Sequence, residues 1–91
     1  MIYKGFKATE RFWKSFAKLS PELQSKAKEK FHVFKKDPFD PSLGTHTIKK
    51  LSAHAKQPVY SVVVAPDLRA IFLLDKGVVV TLDIGTHDVY K

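Results

Sequence analysis

The chain of 91 residues has no cysteine, so disulfides, thiolate nucleophiles and thiolate metal sites are excluded and His, Lys, Arg, Tyr and the carboxylates must carry any chemistry. Glycine and proline are sparse, at 4 and 5 residues, too few for a linker-rich or low-complexity chain. No apolar run approaches the ~20 residues that cross a bilayer, and the start, MIYKGFKATER, has no signal-peptide core. A cytosolic location without membrane attachment is the expectation. Acidic residues are also scarce: 9 Asp and Glu stand against 16 Lys and Arg, a formal charge of +7. Such a bias favours nucleic acid, an acidic protein segment or an anionic surface as partner, and it is equally what solubility alone asks of a small domain.

What the chain does have is 44% apolar and 12% aromatic residues, enough for one modest core and not for two, so residues 1–91 read as a single domain. The apolar residues concentrate in the last third, YSVVVAPDLRAIFLLDKGVVVTLDIGTHDVY. Tyr60 to Ala65, Leu68 to Leu74 and Val78 to Ile84 predict strands apolar on both faces, covered by helices on one side and partly occluded on the other. Asp75-Lys76-Gly77 fits a short hairpin with glycine in the left-handed position. Pro66-Asp67 cannot form a type I′ turn, because proline forbids positive φ, so that hairpin must be wider or bulged.

Upstream, residues 2–7 predict a short first strand weakened by Gly5. Thr9 caps a helix through about Leu19 that aligns Phe12, Phe16 and Leu19 on one face, with Trp13 beside the stripe. Ser20-Pro21-Glu22 supplies an N-cap, a first-turn proline and an early carboxylate for a second helix, which turns Leu23, Ala27, Phe31 and Phe34 inward. Two helices so closely joined predict an antiparallel hairpin. Asp37-Pro38 ends the second, since the residue before proline is pushed out of the α region. Thr47 to Leu51 alternates weakly, as a strand would, and Ser52 to Pro58 reads as a polar connection. His46, Lys49, Lys50, His54 and Lys56 gather there, either as a plain solvated loop or as a phosphate-binding cluster.

RNA carries its own nucleophile, the 2′-hydroxyl. Cutting it needs in-line positioning, a base for that proton, cations for the pentavalent phosphate and an acid for the 5′ oxygen, without a metal. Histidine suits the acid or base role and arginine grips two phosphate oxygens at once. His46, Arg69, His87 and Tyr90 are candidates for such a set. Each also has a plain alternative: Arg69 pairing with Asp67, Asp75 or Asp83, His87 and Tyr90 closing a sheet edge, His46 lying on a loop. His46, His54 and His87 lack the close spacing of a metal site, so no metal and no cofactor is expected.

The order of these elements, with DPFDPSL after the helices, Asp67-Leu68-Arg69 before an apolar strand and Gly85-Thr86-His87-Asp88-Val89-Tyr90 near the end, resembles the RelE/ParE superfamily of toxins. The resemblance spans nearly the whole chain and is nearest to RelE-like ribosome-dependent mRNA endonucleases of the YafQ-like and YoeB-like branches. It implies an α+β fold in which a helical hairpin packs on a twisted antiparallel sheet of about four strands, the RelE-like microbial RNase arrangement. By the same resemblance His46 falls where a YoeB-like toxin has its general base and Arg69 on the phosphate-gripping arginine. His87 falls on the C-terminal histidine and Tyr90 on an RNA-orienting aromatic, while Lys49, Lys50, His54 and Lys56 would contact RNA. RelE-like lysines are absent from Tyr60-Ser61-Val62-Val63-Val64, so any cleavage here would centre on histidine. The implied partners are a cognate antitoxin, in a toxin–antitoxin hetero-oligomer, and the ribosome with its mRNA. A ParE-like gyrase inhibitor, or a toxin-fold binding module without activity, are the alternatives.

Overall fold

The computed structural model describes residues 3–86. Its elements run β1 (Gly5–Ala8), α1 (Glu10–Ala17), α2 (Pro21–Lys36), a 3₁₀ turn (Pro41–Leu43), β2 (His46–Thr47), α3 (Lys49–Ala55), β3 (Val59–Ala65), β4 (Leu68–Asp75) and β5 (Val78–Gly85). The sheet has the order β1-β5-β4-β3-β2. β1 pairs parallel to β5 and the other neighbours are antiparallel. The expected α+β architecture is present, with a first strand parallel to its neighbour and one strand more than the sequence suggested.

Local chemistry sets the boundaries. Thr9 and Ser20 cap α1 and α2 through their hydroxyls, which accept from Phe12 N and Leu23 N, removing one orphan donor at each helix start. Thr9 does more than cap. Its hydroxyl also donates 2.7 Å to the carbonyl of Leu82, which fastens the start of α1 to β5. Gln24 Nε2 donates to the carbonyls of Phe16 and Leu19, tying α2 to the end of α1.

The hairpins follow their turn residues. Lys76 and Gly77 both have positive φ, 51° and 86°, as a two-residue primed turn between the paired Asp75 and Val78 requires. The Pro66-Asp67 hairpin closes on the pair Ala65 and Leu68, with a register shift between Val63 and Ala65. Proline's fixed φ is thus accommodated by a bulge, as expected.

The strands are buried on both faces by different partners. On one side Phe12, Ala27 and Phe34 from the helices meet Val62, Val64, Ala70, Phe72 and Val79. On the other, Ile48 and Leu51 cover Val59, Ile71 and Leu73. That second cover corrects the sequence reading of residues 47–58, because only His46 and Thr47 are extended and Lys49–Ala55 is helical. The helix forms because Ile48 and Leu51, three residues apart, dock on the sheet together. Ser52 strengthens the docking: its Oγ accepts from Val59 N at 2.8 Å.

Candidate functional site

Directly paired residues on neighbouring strands share a face, as do alternate residues along a strand. His46 lies opposite Ser61 on β3, and Ser61 opposite Ile71 on β4. Arg69 lies opposite Val63 on β3 and Gly85 on β5. Arg69 and His46 therefore share the sheet face that α3 partly covers, away from α1 and α2. Two strand spacings and two residues of rise set their Cα atoms about 12 Å apart, a gap that two long side chains and one phosphate can fill.

Arg69 is half-buried, and its Nη1 donates to the carbonyls of Ala65, Pro66 and Leu68 at 3.0, 3.2 and 3.2 Å. These bonds fix the guanidinium on the β3–β4 turn. Among the described residues no carboxylate pairs with it, so the plain alternative of an ion pair with Asp67, Asp75 or Asp83 is not what forms. Nε and Nη2 make no hydrogen bond to described residues, and that edge of the fork suits two oxygens of one phosphate.

His46 is exposed, with Nδ1 3.1 Å from the carbonyl of Gly44. A carbonyl only accepts, so Nδ1 is the donor in this contact, and in the neutral ring that leaves the lone pair on Nε2, the form a general base needs. Gly44 has a φ of 57°, and a Cβ there would meet Val63 Cγ2 at 3.3 Å. The loop that carries His46 thus runs close against the residue paired with Arg69.

Lys49, Lys50 and His54 lie on α3 and Lys56 caps it, all exposed. Lys50 and His54, four residues apart, share a stripe of the helix whose Leu51 side packs on the same sheet face as Arg69. His87 and Tyr90 lie outside the described residues. Among the described residues no three His, Asp or Glu side chains come together as a metal site would require, and no helix is long and apolar enough to cross a membrane.

Two features were not legible in the sequence. Asp83 is buried and pairs with Arg11 of α1, Nε to Oδ2 at 3.1 Å. The helix-start position of Arg11 was visible; its nearness to β5 depends on tertiary docking. The second is Ser61, fully buried beside His46 and Ile71 with no hydrogen-bond partner for its Oγ. An orphaned buried hydroxyl costs about 1–3 kcal/mol. Ser61→Ala is therefore expected to raise the melting temperature by about 4 °C or more, at about 4–8 °C for each kcal/mol recovered; a lowered value in calorimetry would mean that the hydroxyl is partnered in solution.

The five-stranded sheet with two N-terminal helices on one face and a short helix on the other is the RelE/ParE-like toxin fold. Solved structures show the likeness along nearly the whole chain. The RelE–RelB complex from Pyrococcus horikoshii OT3 superposes with a TM-score of 0.71 at 13% identity, over 98% of this chain and 99% of that one. The E. coli DinJ–YafQ toxin–antitoxin complex gives 0.70 at 17% identity over 96% of both. A YoeB/ParE toxin from Agrobacterium tumefaciens gives 0.70 at 11% identity, over 91% of this chain and 98% of that one. No protein-family model matches the sequence, and no curated protein matches it significantly.

Proposed function

We propose that this chain is the toxin of a toxin–antitoxin pair and that it cuts mRNA on the translating ribosome by metal-independent acid–base chemistry. The observation that carries the reading is Arg69, a guanidinium held by three backbone carbonyls on a sheet face and paired with no carboxylate among the described residues. In this scheme His46 Nε2 takes the proton of the 2′-hydroxyl, whose oxygen attacks the adjacent phosphorus in line. Arg69 stabilises the extra negative charge, and the P–O5′ bond breaks as His87 protonates the leaving oxygen. The products are a 2′,3′-cyclic phosphate and a 5′-hydroxyl. Tyr90 orients the RNA, while Lys49, Lys50, His54 and Lys56 hold flanking phosphates. β5 ends at Gly85, opposite Arg69, and His87 stands two residues further on in the sequence.

An antitoxin partner is supported by the other face. A groove of 420 Å³ between β1 and the helices has Phe6, Trp13, Phe16 and Phe31 in its wall, Lys28 and Lys35 at its rim and no carboxylate lining it. An acidic, apolar segment that folds on binding is complementary to such a surface.

Purified protein is expected to cleave mRNA on translating ribosomes in excess chelator and to leave DNA supercoiling by gyrase untouched. Intact mRNA with blocked supercoiling would move the assignment to gyrase inhibition. Folded protein inert in both assays would leave a binding module.

A further inference from the structure

Asp83 poses a problem for the site just described, and the inference that follows rests on that reading of Arg69. Ile71 pairs with Asp83 and Arg69 with Gly85 without a register shift between them. Arg69 and Asp83 are therefore diagonal neighbours on adjacent strands, a separation of about 7–8 Å between Cα atoms that a long side chain spans. A buried carboxylate so close to a guanidinium is a natural competitor for the phosphate that the guanidinium is meant to hold. Yet Arg69 turns the other way, onto the β3–β4 turn.

The structure shows what occupies Asp83 instead. Its Oδ1 accepts from the N–H of Ile84 at 2.8 Å and its Oδ2 takes Arg11 at 3.1 Å. β1 ends at Ala8, opposite Thr81, so beyond that pair β5 has no neighbour on this side and α1 can reach round the sheet edge. The Thr9 hydroxyl bond to the Leu82 carbonyl places the first turn of α1 there. The two partners are unequally exposed, the Arg11 side chain 80% and that of Asp83 9%. For surface solubility alone, an arginine has no need of a buried carboxylate; a buried carboxylate needs a cation.

We propose that Arg11 is a positioning residue: by holding Asp83 it keeps the neighbouring guanidinium of Arg69 free for the substrate phosphate. Without Arg11, Arg69 is the cation that the strand register sets diagonally beside Asp83. The guanidinium leaves the turn, pairs with the carboxylate and is lost to RNA. Arg11 need not touch RNA for this, and neutralising Asp83 should cancel the effect of removing Arg11.

The test uses the full chain, with wild type, Arg11→Ala, Asp83→Asn and the double variant, all assayed at a temperature where melting curves show each to be folded. Arg11→Ala should lower kcat/KM for mRNA cleavage on translating ribosomes about tenfold, and the double variant should return to within about twofold of wild type. Arg11→Lys, which retains the charge, should recover most of the loss. A second readout needs no activity: the Nε–Hε NMR resonance of Arg69, identified by its disappearance in Arg69→Lys, should shift in Arg11→Ala and return in the double variant. An unmoved resonance in Arg11→Ala overturns the inference. So does a loss of cleavage that Asp83→Asn fails to restore, which would mean that Arg11 acts on RNA directly. If the resonance moves as stated while folded wild-type protein cleaves no mRNA on translating ribosomes, the arrangement of charges stands and the nuclease reading falls.

Discussion

Replacing Arg69 with alanine is expected to slow mRNA cleavage by roughly 10²-fold or more while the protein stays folded. The magnitude follows from the charge the pentavalent phosphate gains in the transition state and from the absence, among the described residues, of any other cation placed on this face by backbone bonds. Arg69→Lys should recover little, because an ammonium is a point charge and cannot span two phosphate oxygens. The stability cost should be small. The Nη1 bonds go to carbonyls at a turn whose Pro66 and Asp67 are exposed, where water can replace the donor. Cleavage and melting temperature measured on the same preparations separate this outcome from a structural role, in which activity would fall only as far as the folded fraction does. Cleavage at wild-type rate by folded Arg69→Ala would remove the residue from the mechanism.

The largest effect on stability is expected at Phe72. Its side chain has no exposure and contacts rings from three parts of the chain, with centroids at 5.0 Å to Phe34, 5.9 Å to Phe39 and 5.2 Å to Tyr60. Removing a phenyl ring from such a site forfeits burial and leaves a cavity, about 3–5 kcal/mol. A domain of this size holds about 5–15 kcal/mol in all, so Phe72→Ala should lower the melting temperature by more than about 12 °C. A shift of only a few degrees in thermal unfolding would show that α2 collapses onto the sheet and refills the space. Phe72→Leu, closer in volume, should retain most of the stability.

These two residues also show what could be read from the chain and what could not. Phe72 sits in an apolar run bounded by turn signals, so its burial and its strand followed from sequence pattern. So did the caps at Thr9 and Ser20 and the bulge that Pro66 imposes, because each depends on chemistry within a few residues. Arg69 was legible as an anomaly in that run, though its anchor was not. Carbonyls of a turn leave no mark in a sequence, whereas three aspartates nearby offered themselves as partners.

The helix at Lys49–Ala55 was hidden for a different reason. Seven residues are too few to show a helical period, and what holds them helical is the docking of Ile48 and Leu51 on strands far along the chain. The parallel pairing of β1 with β5 is likewise a long-range event. The Arg11–Asp83 pair depends on it, since it forms where β1 gives way to α1. The site's other expected members, His87 and Tyr90, lie outside the described residues.

In the proposed mechanism the RNA supplies the nucleophile and the protein supplies only acid, base and cation. Mapping the ends of the fragments produced on translating ribosomes tests this most directly. The expected ends are 5′-hydroxyl and 2′,3′-cyclic phosphate, formed at the same rate in excess chelator. Fragments with 5′-phosphate ends that appear only when a divalent metal is supplied would contradict it.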